Sequence, residues 1–319
     1  MKDLDGSKHV CAAVHLLIDS LISVFLIIVL GAVLRRVLLP SDEAWSAIER
    51  VGYYVFFPAL MIRSLAGANL ASAPVLAVSG ALVATILIMS LLVVLAQPWL
   101  ERRLGMGGPA FTSLYQGALR WNAFIAIAVA GNLYGQEGLT LASIAVAAMI
   151  PLVNFLSLWV LRRWGTAGSG SFLRGLMTNP FMVGTLIGIA INVVGLPIPR
   201  FLDLTLTAMA SAALGVGLLL VGAGLKLEYL TRPGAALTLA VALRLIALPL
   251  LGAGIALALG LKGAALAVVV ICLGVPTASA SYILARQMGG DAPLMAAILT
   301  AQTLVSGLTL PILLILFSG

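Results

Sequence analysis

What this sequence lacks most is polar residues in blocks. Its 319 residues hold only 18 Lys or Arg and 11 Asp or Glu, 9% charged against 62% hydrophobic, with mean hydropathy +1.16. Soluble domains run about 45–50% apolar and about 25% charged. No polar stretch is long enough for a soluble domain, so the chain is an integral membrane protein. Histidine is nearly absent: His9 and His15, both near the N-terminus, are the only two. With no Ser-His pairing or paired acidic motif in the apolar runs, catalysis lacks its tools and no enzyme is expected. Cysteine is limited to Cys11 and Cys272, without metal or redox spacing, which excludes a disulfide framework and a metal or other cofactor site of that kind. The 18 basic residues are scattered over short loops and form no stripe, so nucleic acid is not expected as a partner.

What is present is a series of apolar runs, each able to cross a hydrocarbon core of about 30 Å. They lack the alternation of membrane β-strands, so helices are implied. The runs read as ten spans, at 17–38, 46–66, 73–98, 109–134, 139–161, 179–196, 203–225, 235–260, 262–286 and 292–317. The second, IERVGYYVFFPALMIRSLAGA, mixes charges and aromatics with Pro58. A run of about 20 apolar residues after Lys2 and Lys8, ended by Arg35 and Arg36, reads as a retained first span rather than a cleaved signal.

Charge orients the spans. One side carries Arg35, Arg36, Arg50, Arg102, Arg103, Arg162, Arg163, Arg174, Lys226, Arg232 and Arg286, 11 in all; the other carries five, Lys2, Lys8, Arg63, Arg200 and Lys262. Cytoplasmic loops are rich in Lys and Arg, so both termini are expected outside. Short loops without a targeting region suggest a bacterial cytoplasmic (inner) membrane.

The halves repeat weakly. LLP at 38–40 resembles GLP at 195–197, and SLAGANL at 64–70 resembles VGAGLKL at 221–227, both at an offset of 157. LGMGG at 104–108 pairs with LGLKG at 259–263, and YGQEG at 134–138 with MGGDA at 288–292, at offsets of 155 and 154. Five spans per half, an odd number, invert the second half relative to the first. The expected organisation is an N-terminal segment 1–16, a first inverted repeat 17–162, a cytoplasmic linker 163–178 and a second repeat 179–317. Inverted repeats are a transporter architecture, with the site near the midplane at interrupted helices.

Two runs carry such interruptions at matching depth. In ICLGVPTASASYILARQ, at 271–287, Pro276 removes a backbone donor and frees carbonyls that hydrocarbon cannot satisfy. Thr277, Ser279 and Ser281 can satisfy backbone groups or cap the half-helix that follows. Its aligned partner, GALRWNAFIAIAVAG, places Arg120, Trp121 and Asn122 about a dozen residues into span four. A mid-span arginine costs about 2.5–3.5 kcal/mol on insertion scales, so it should face protein or a watery cavity. It either satisfies freed carbonyls or serves an anion as counter-charge, with Asn122 and a half-helix N-terminus adding donors. The readings are compatible. Arg244, in VALRLIALPLL, is a second buried cation that fits helix-end carbonyls at least as well as a ligand.

Carboxylates are missing where a cation site would want them. Apart from loop residues Glu101, Glu137 and Asp291, spans three to five and eight to ten contain none, and Asp19 is the only one within an apolar run. Neutral oxygens remain: Gln302, Ser306 and Thr309 on one face of span ten, and Asn154 and Ser157 in span five. They are interhelical glue or a polar ion site, and glue is the favoured reading.

LRWNAFIAIAVAGNLYG, NPFMVGTLIGIAINVVGLPIP and VPTASASYILARQMGGDAPLMAA resemble the auxin efflux carrier family, which includes plant auxin exporters and bacterial malonate or malate permeases. The likeness covers 17–317. It implies a fold related to the bile-acid sodium symporters, with spans one, two, six and seven as scaffold and the other six as a moving core. Spans four and nine would cross at their breaks, with an organic acid bound near the crossing in an elevator-type cycle. Asn122 and Pro276 match the family's crossover residues, and Arg120 matches the Arg-x-Asn of many bacterial members. This chain departs by having IAIAV where a proline commonly follows the first break. Relatives also imply a homodimer through the scaffold, for which Gly184 and Gly188 offer a close-approach motif.

The expectation is a secondary transporter of small organic anions, carboxylates above all, embedded in a lipid bilayer. A sodium-coupled symporter of the bile-acid type is the alternative within transport, and a carboxylate-binding receptor without flux is the alternative outside it.

Overall fold

The computed structural model describes residues 3–68, 74–166, 180–231 and 234–317. Of the expected topology markers, Lys2, Arg174 and Arg232 lie outside the described residues, as does the linker from 167 onward. Among the described residues every regular element is helical. Hydrocarbon requires this, because a helix satisfies its backbone groups within one segment.

Helix α1 covers Asp3–Val37. α2 (Asp42–Val51), a π-helical turn (Gly52–Phe56) and α3 (Phe57–Ala66) form one continuous rod. α4 is Val75–Leu104, α5 Gly108–Leu119 and α6 Ala123–Trp164. α7 is Pro180–Val194 and α8 Arg200–Ala223. After a 3-10 turn (Leu227–Thr231), α9 (Ala235–Ala242) runs through a second π turn (Leu243–Ala247) into α10 (Leu248–Ala258). α11 (Gly263–Gly274), α12 (Ala280–Met288) and α13 (Ala292–Phe317) complete the order.

Among the described residues, six helical stretches are long and apolar enough to cross a membrane: Ile18–Val37, Val75–Leu104, Gly108–Trp164, Arg200–Ala223, Ala235–Ala258 and Ala292–Phe317. The 57-residue third stretch would be about 85 Å long if straight. It bends at Gly135, whose φ of 54° and ψ of −134° suit a residue without a side chain. α11, with 12 residues, spans only about 18 Å and needs its continuation in α12 to reach across.

Glycines set the closest helix approaches. A methyl group on Gly184 would come within 2.7 Å of Pro58 Cα, and one on Gly188 within 3.1 Å of Ile62 Cα. These two residues therefore seat α7 on α3 of the same chain, which is internal packing. Asn192 then donates from one amide nitrogen to the carbonyls of Leu65, Ala66 and Ala68, satisfying the end of α3. α1 meets α8 in the same manner, with Gly31 against Leu219 and Gly222 against Ile28. The remaining helices share a core of small and branched residues, including Ala126, Ala142, Val269 and Ile298.

Candidate functional site

Two helical rods are broken in the middle of the bundle. α5 ends when Arg120 turns extended (φ −71°, ψ 151°), and α6 begins after Asn122. α11 ends when Val275 turns extended (φ −72°, ψ 155°), and α12 begins after Ser279. Each break exposes helix-end donors and carbonyls that must be paired. The breaks partly pair each other: Asn122 N–H donates to the Pro276 carbonyl at 2.8 Å. The Asn122 side chain caps α6, its Oδ1 accepting from the N–H groups of Phe124 and Ile125 at 3.1 and 3.3 Å.

The carbonyl ends are held by Arg244. It is fully buried and donates from Nε to Val275 O at 2.7 Å, from Nη2 to Cys272 O at 2.8 Å and from Nη1 to Leu119 O at 3.4 Å. One guanidinium thus takes acceptors at the C-terminal ends of both α5 and α11, where partial negative charge accumulates. The π turn at 243–247 carries it there. With its donors taken up by these three carbonyls, Arg244 acts as a structural clamp.

Gln302 of α13 braces the second break. Its Oε1 accepts from Thr277 N–H at 2.9 Å, while Nε2 donates to Gly117 O and Ala240 O at 2.9 and 3.0 Å. Thr277 Oγ1 donates to Gln116 O at 3.3 Å and lies 3.2 Å from Ser281 Oγ. Thr277, Ser281 and Gln302 are wholly buried behind the break. Ser306 and Thr309 bond back to carbonyls of their own helix and stay apart from the break. The Gln116 amide is also buried, and among the described residues neither its oxygen nor its nitrogen has a partner.

On the other side of the crossing lies a cavity of about 200 Å³. Asn122, Ala123 and Phe124 line it from the start of α6, and Ala278, Ser279 and Ala280 from the start of α12. The arrangement is polarised: carbonyl ends face Arg244, and N–H ends face the cavity. A helix N-terminus carries partial positive charge and favours anions.

Arg120 and Asn154 complete that wall. Arg120 Nη1 donates to Asn154 Oδ1 at 2.9 Å. Among the described residues Nε is buried without an acceptor, and Nη2 takes none. The Nε–Nη2 edge of a guanidinium has the geometry to meet a carboxylate with two parallel hydrogen bonds. Of the residues expected from sequence, the structure brings Arg120, Asn122, Asn154 and Ser279 to the cavity. Pro276, Thr277, Ser281 and Gln302 stand behind it, and Ser306, Thr309 and Arg244 lie elsewhere.

Sequence reasoning missed Glu49 and Tyr53. Both line the cavity from the rod that begins with α2. The signal was available, since four residues apart places them on one helical face. Only tertiary packing brings that face to the breaks. Phe57, farther along the same rod, stacks on Phe124 with ring centroids 4.1 Å apart.

Glu49, Phe124 and Ser279 also line an adjoining cavity of about 310 Å³. Its wall includes Arg35, Lys226 and Arg286. Arg35 pairs with Asp42, whose carboxyl is held below the usual carboxylate range by that hydrogen bond and charge. Lys226 Nζ and the Arg286 guanidinium lie 5.1 and 5.9 Å from the Tyr282 ring centre. The larger cavity is therefore a basic vestibule beside the smaller one.

Residues 166–314 match the sequence model of a family described as membrane transport protein. The chain is also 26% identical over 301 residues to an uncharacterized transporter of the archaeon Methanothermobacter thermautotrophicus, covering 92% of this chain and 96% of that one. Both likenesses are to membrane transport proteins, and together with the six long apolar helices among the described residues they support a multi-pass membrane protein.

Proposed function

We propose that this protein is a secondary transporter of small organic anions, carboxylates in particular. The observation that carries the proposal is Arg120: among the described residues no acceptor meets its Nε or Nη2, beside a cavity that two half-helix N-termini help to line. A small carboxylate supplies two acceptor oxygens and one negative charge, which match that edge and that field. Asn122 and Ser279 add polar contacts, and Trp121 and Phe124 give the cavity apolar wall.

In this reading the chain crosses the membrane ten times as two inverted repeats. α4–α6 and α9–α13 form a moving core, and α1–α3, α7 and α8 a scaffold. Glycine-mediated packing of α1 on α8 and of α3 on α7 supports a stiff scaffold. The Phe57–Phe124 stack lies on the boundary along which an elevator-type core would slide. The basic vestibule supports loading from the side rich in Lys and Arg, the cytoplasmic side, with both termini outside in a bacterial inner membrane. The relatives imply a homodimer through the scaffold. Gly184 and Gly188 are already covered by α3, so any dimer contact uses another face.

The test is a thermal-shift screen of purified protein against small mono- and dicarboxylates, followed by flux measurement in proteoliposomes for each binder. A ligand at 100 times its Kd stabilises by about 2.7 kcal/mol. Carboxylates that stabilise and then cross the membrane support the proposal. Stabilisation by none of them, or binding without flux, removes it.

A further inference from the structure

Resting on the anion reading above, we infer that Glu49 is a proton-binding site of the carboxylate cavity, so that binding one organic anion there takes up one proton. The two features that require this line the same small space. Arg120 brings one positive charge from the end of α5, and Glu49 brings one negative charge from α2. Among the described residues Glu49 makes no ion pair, and it is only half-buried. The empty cavity is thus neutral overall, with two opposite charges that do not touch.

An anion that docks on Arg120 changes that balance. With Glu49 still ionised, the cavity would hold two negative charges against one positive charge, inside walls of low dielectric. Two carboxylates sharing a site cannot both stay ionised without a large cost, and one of them takes a proton. The anion is held by the Arg120 edge and by helix N-termini, whereas among the described residues Glu49 pairs with no cation. The proton therefore goes to Glu49.

The other charged and titratable groups around Glu49 do not alter the argument. Tyr53 is on its own rod. In the vestibule, the charge of Arg35 is met by Asp42. Lys226 and Arg286 lie against Tyr282, and Arg286 is exposed, so water screens it. Glu49 lines both cavities, so the vestibule supplies a path for the proton to and from water. No covalent step is involved: a proton leaves bulk water and joins the Glu49 carboxylate as the anion arrives.

The test uses the full chain in detergent and a small carboxylate identified by thermal shift that stays ionised from about pH 5 to about pH 8. In wild type, affinity should fall about tenfold for each unit of pH rise, between the ionisation of Glu49 in the empty cavity and in the occupied one. Titration calorimetry in two buffers of different ionisation enthalpy should show uptake of close to one proton per anion. Glu49→Gln should bind the same anion with no proton uptake and no pH dependence. Wild-type binding without proton uptake overturns the inference whether or not the variant folds. So does a variant that keeps the wild-type pH dependence. Preferential binding of zwitterionic amino acids without proton uptake would reassign Glu49 to a ligand ammonium and overturn it too. If no carboxylate binds at any pH, the anion reading falls and this inference with it.

Discussion

The amide of Asn122 donates to the carbonyl of Pro276 at 2.8 Å, joining two helix breaks that lie 154 residues apart in the chain. Around this bond the helix ends are sorted by polarity. Acceptors gather on Arg244, and donors face the cavity that holds Arg120.

Asn122 does two things at once, and substitution separates them. Asn122→Ala removes the cap of α6 and should destabilise the protein by about 0.5–2 kcal/mol. Asn122→Asp keeps a capping oxygen, so thermal stability in detergent should be retained. It also adds a negative charge beside Arg120, so carboxylate binding should be lost. A stable Asp variant with unchanged binding would remove Asn122 from the site.

Arg244 should behave as structure. Arg244→Met strands buried carbonyls at the ends of α5 and α11, a loss on the order of 3 kcal/mol or more. Arg244→Lys should rescue poorly, because an ammonium lacks the planar fork that reaches three acceptors. Size-exclusion profiles and thermal midpoints of the two variants check this. A well-folded Met variant defective only in anion binding would contradict the assignment.

How much of this was legible in the chain depends on the range of the interaction. Helix positions followed from the apolar runs, since hydrocarbon forces a polar backbone to bond within its own segment. The interruption at Arg120-Trp121-Asn122 was legible because a cation inside an apolar run requires a reason. The partners of Arg244 and Gln302 were not, because their acceptors come from residues 119, 272 and 275, and from 117 and 240. Glu49 was hidden for a different reason. It stands among the charges that open the second apolar run, where carboxylates ordinarily face water, and only the packing of that rod on α6 turns it toward the breaks.

Gly188 offers a check on the packing of α7. Gly188→Leu forces a side chain against Ile62 and Leu65 of the same chain and should cost about 1–3 kcal/mol in overpacking. The expected outcome is a lower thermal midpoint at every protein concentration. A variant of normal stability that has merely lost self-association would place Gly188 at a subunit contact.

The vestibule should act on rate. Neutralising Lys226 and Arg286 together, as Lys226→Gln with Arg286→Gln, should slow anion loading at low ionic strength. The difference should shrink near 0.1 M salt, where the screening length is about 10 Å. Initial rates across a salt series in proteoliposomes measure it. A deficit independent of salt would point to a packing role for the pairs with Tyr282.

The central claim is that Arg120 selects the anion, and it is tested most directly by carboxylate flux into proteoliposomes containing wild type or Arg120→Ala. Both proteins are first matched for thermal stability and reconstituted amount. The account predicts that the variant inserts and folds but moves no carboxylate above empty vesicles. Flux equal to wild type would contradict it.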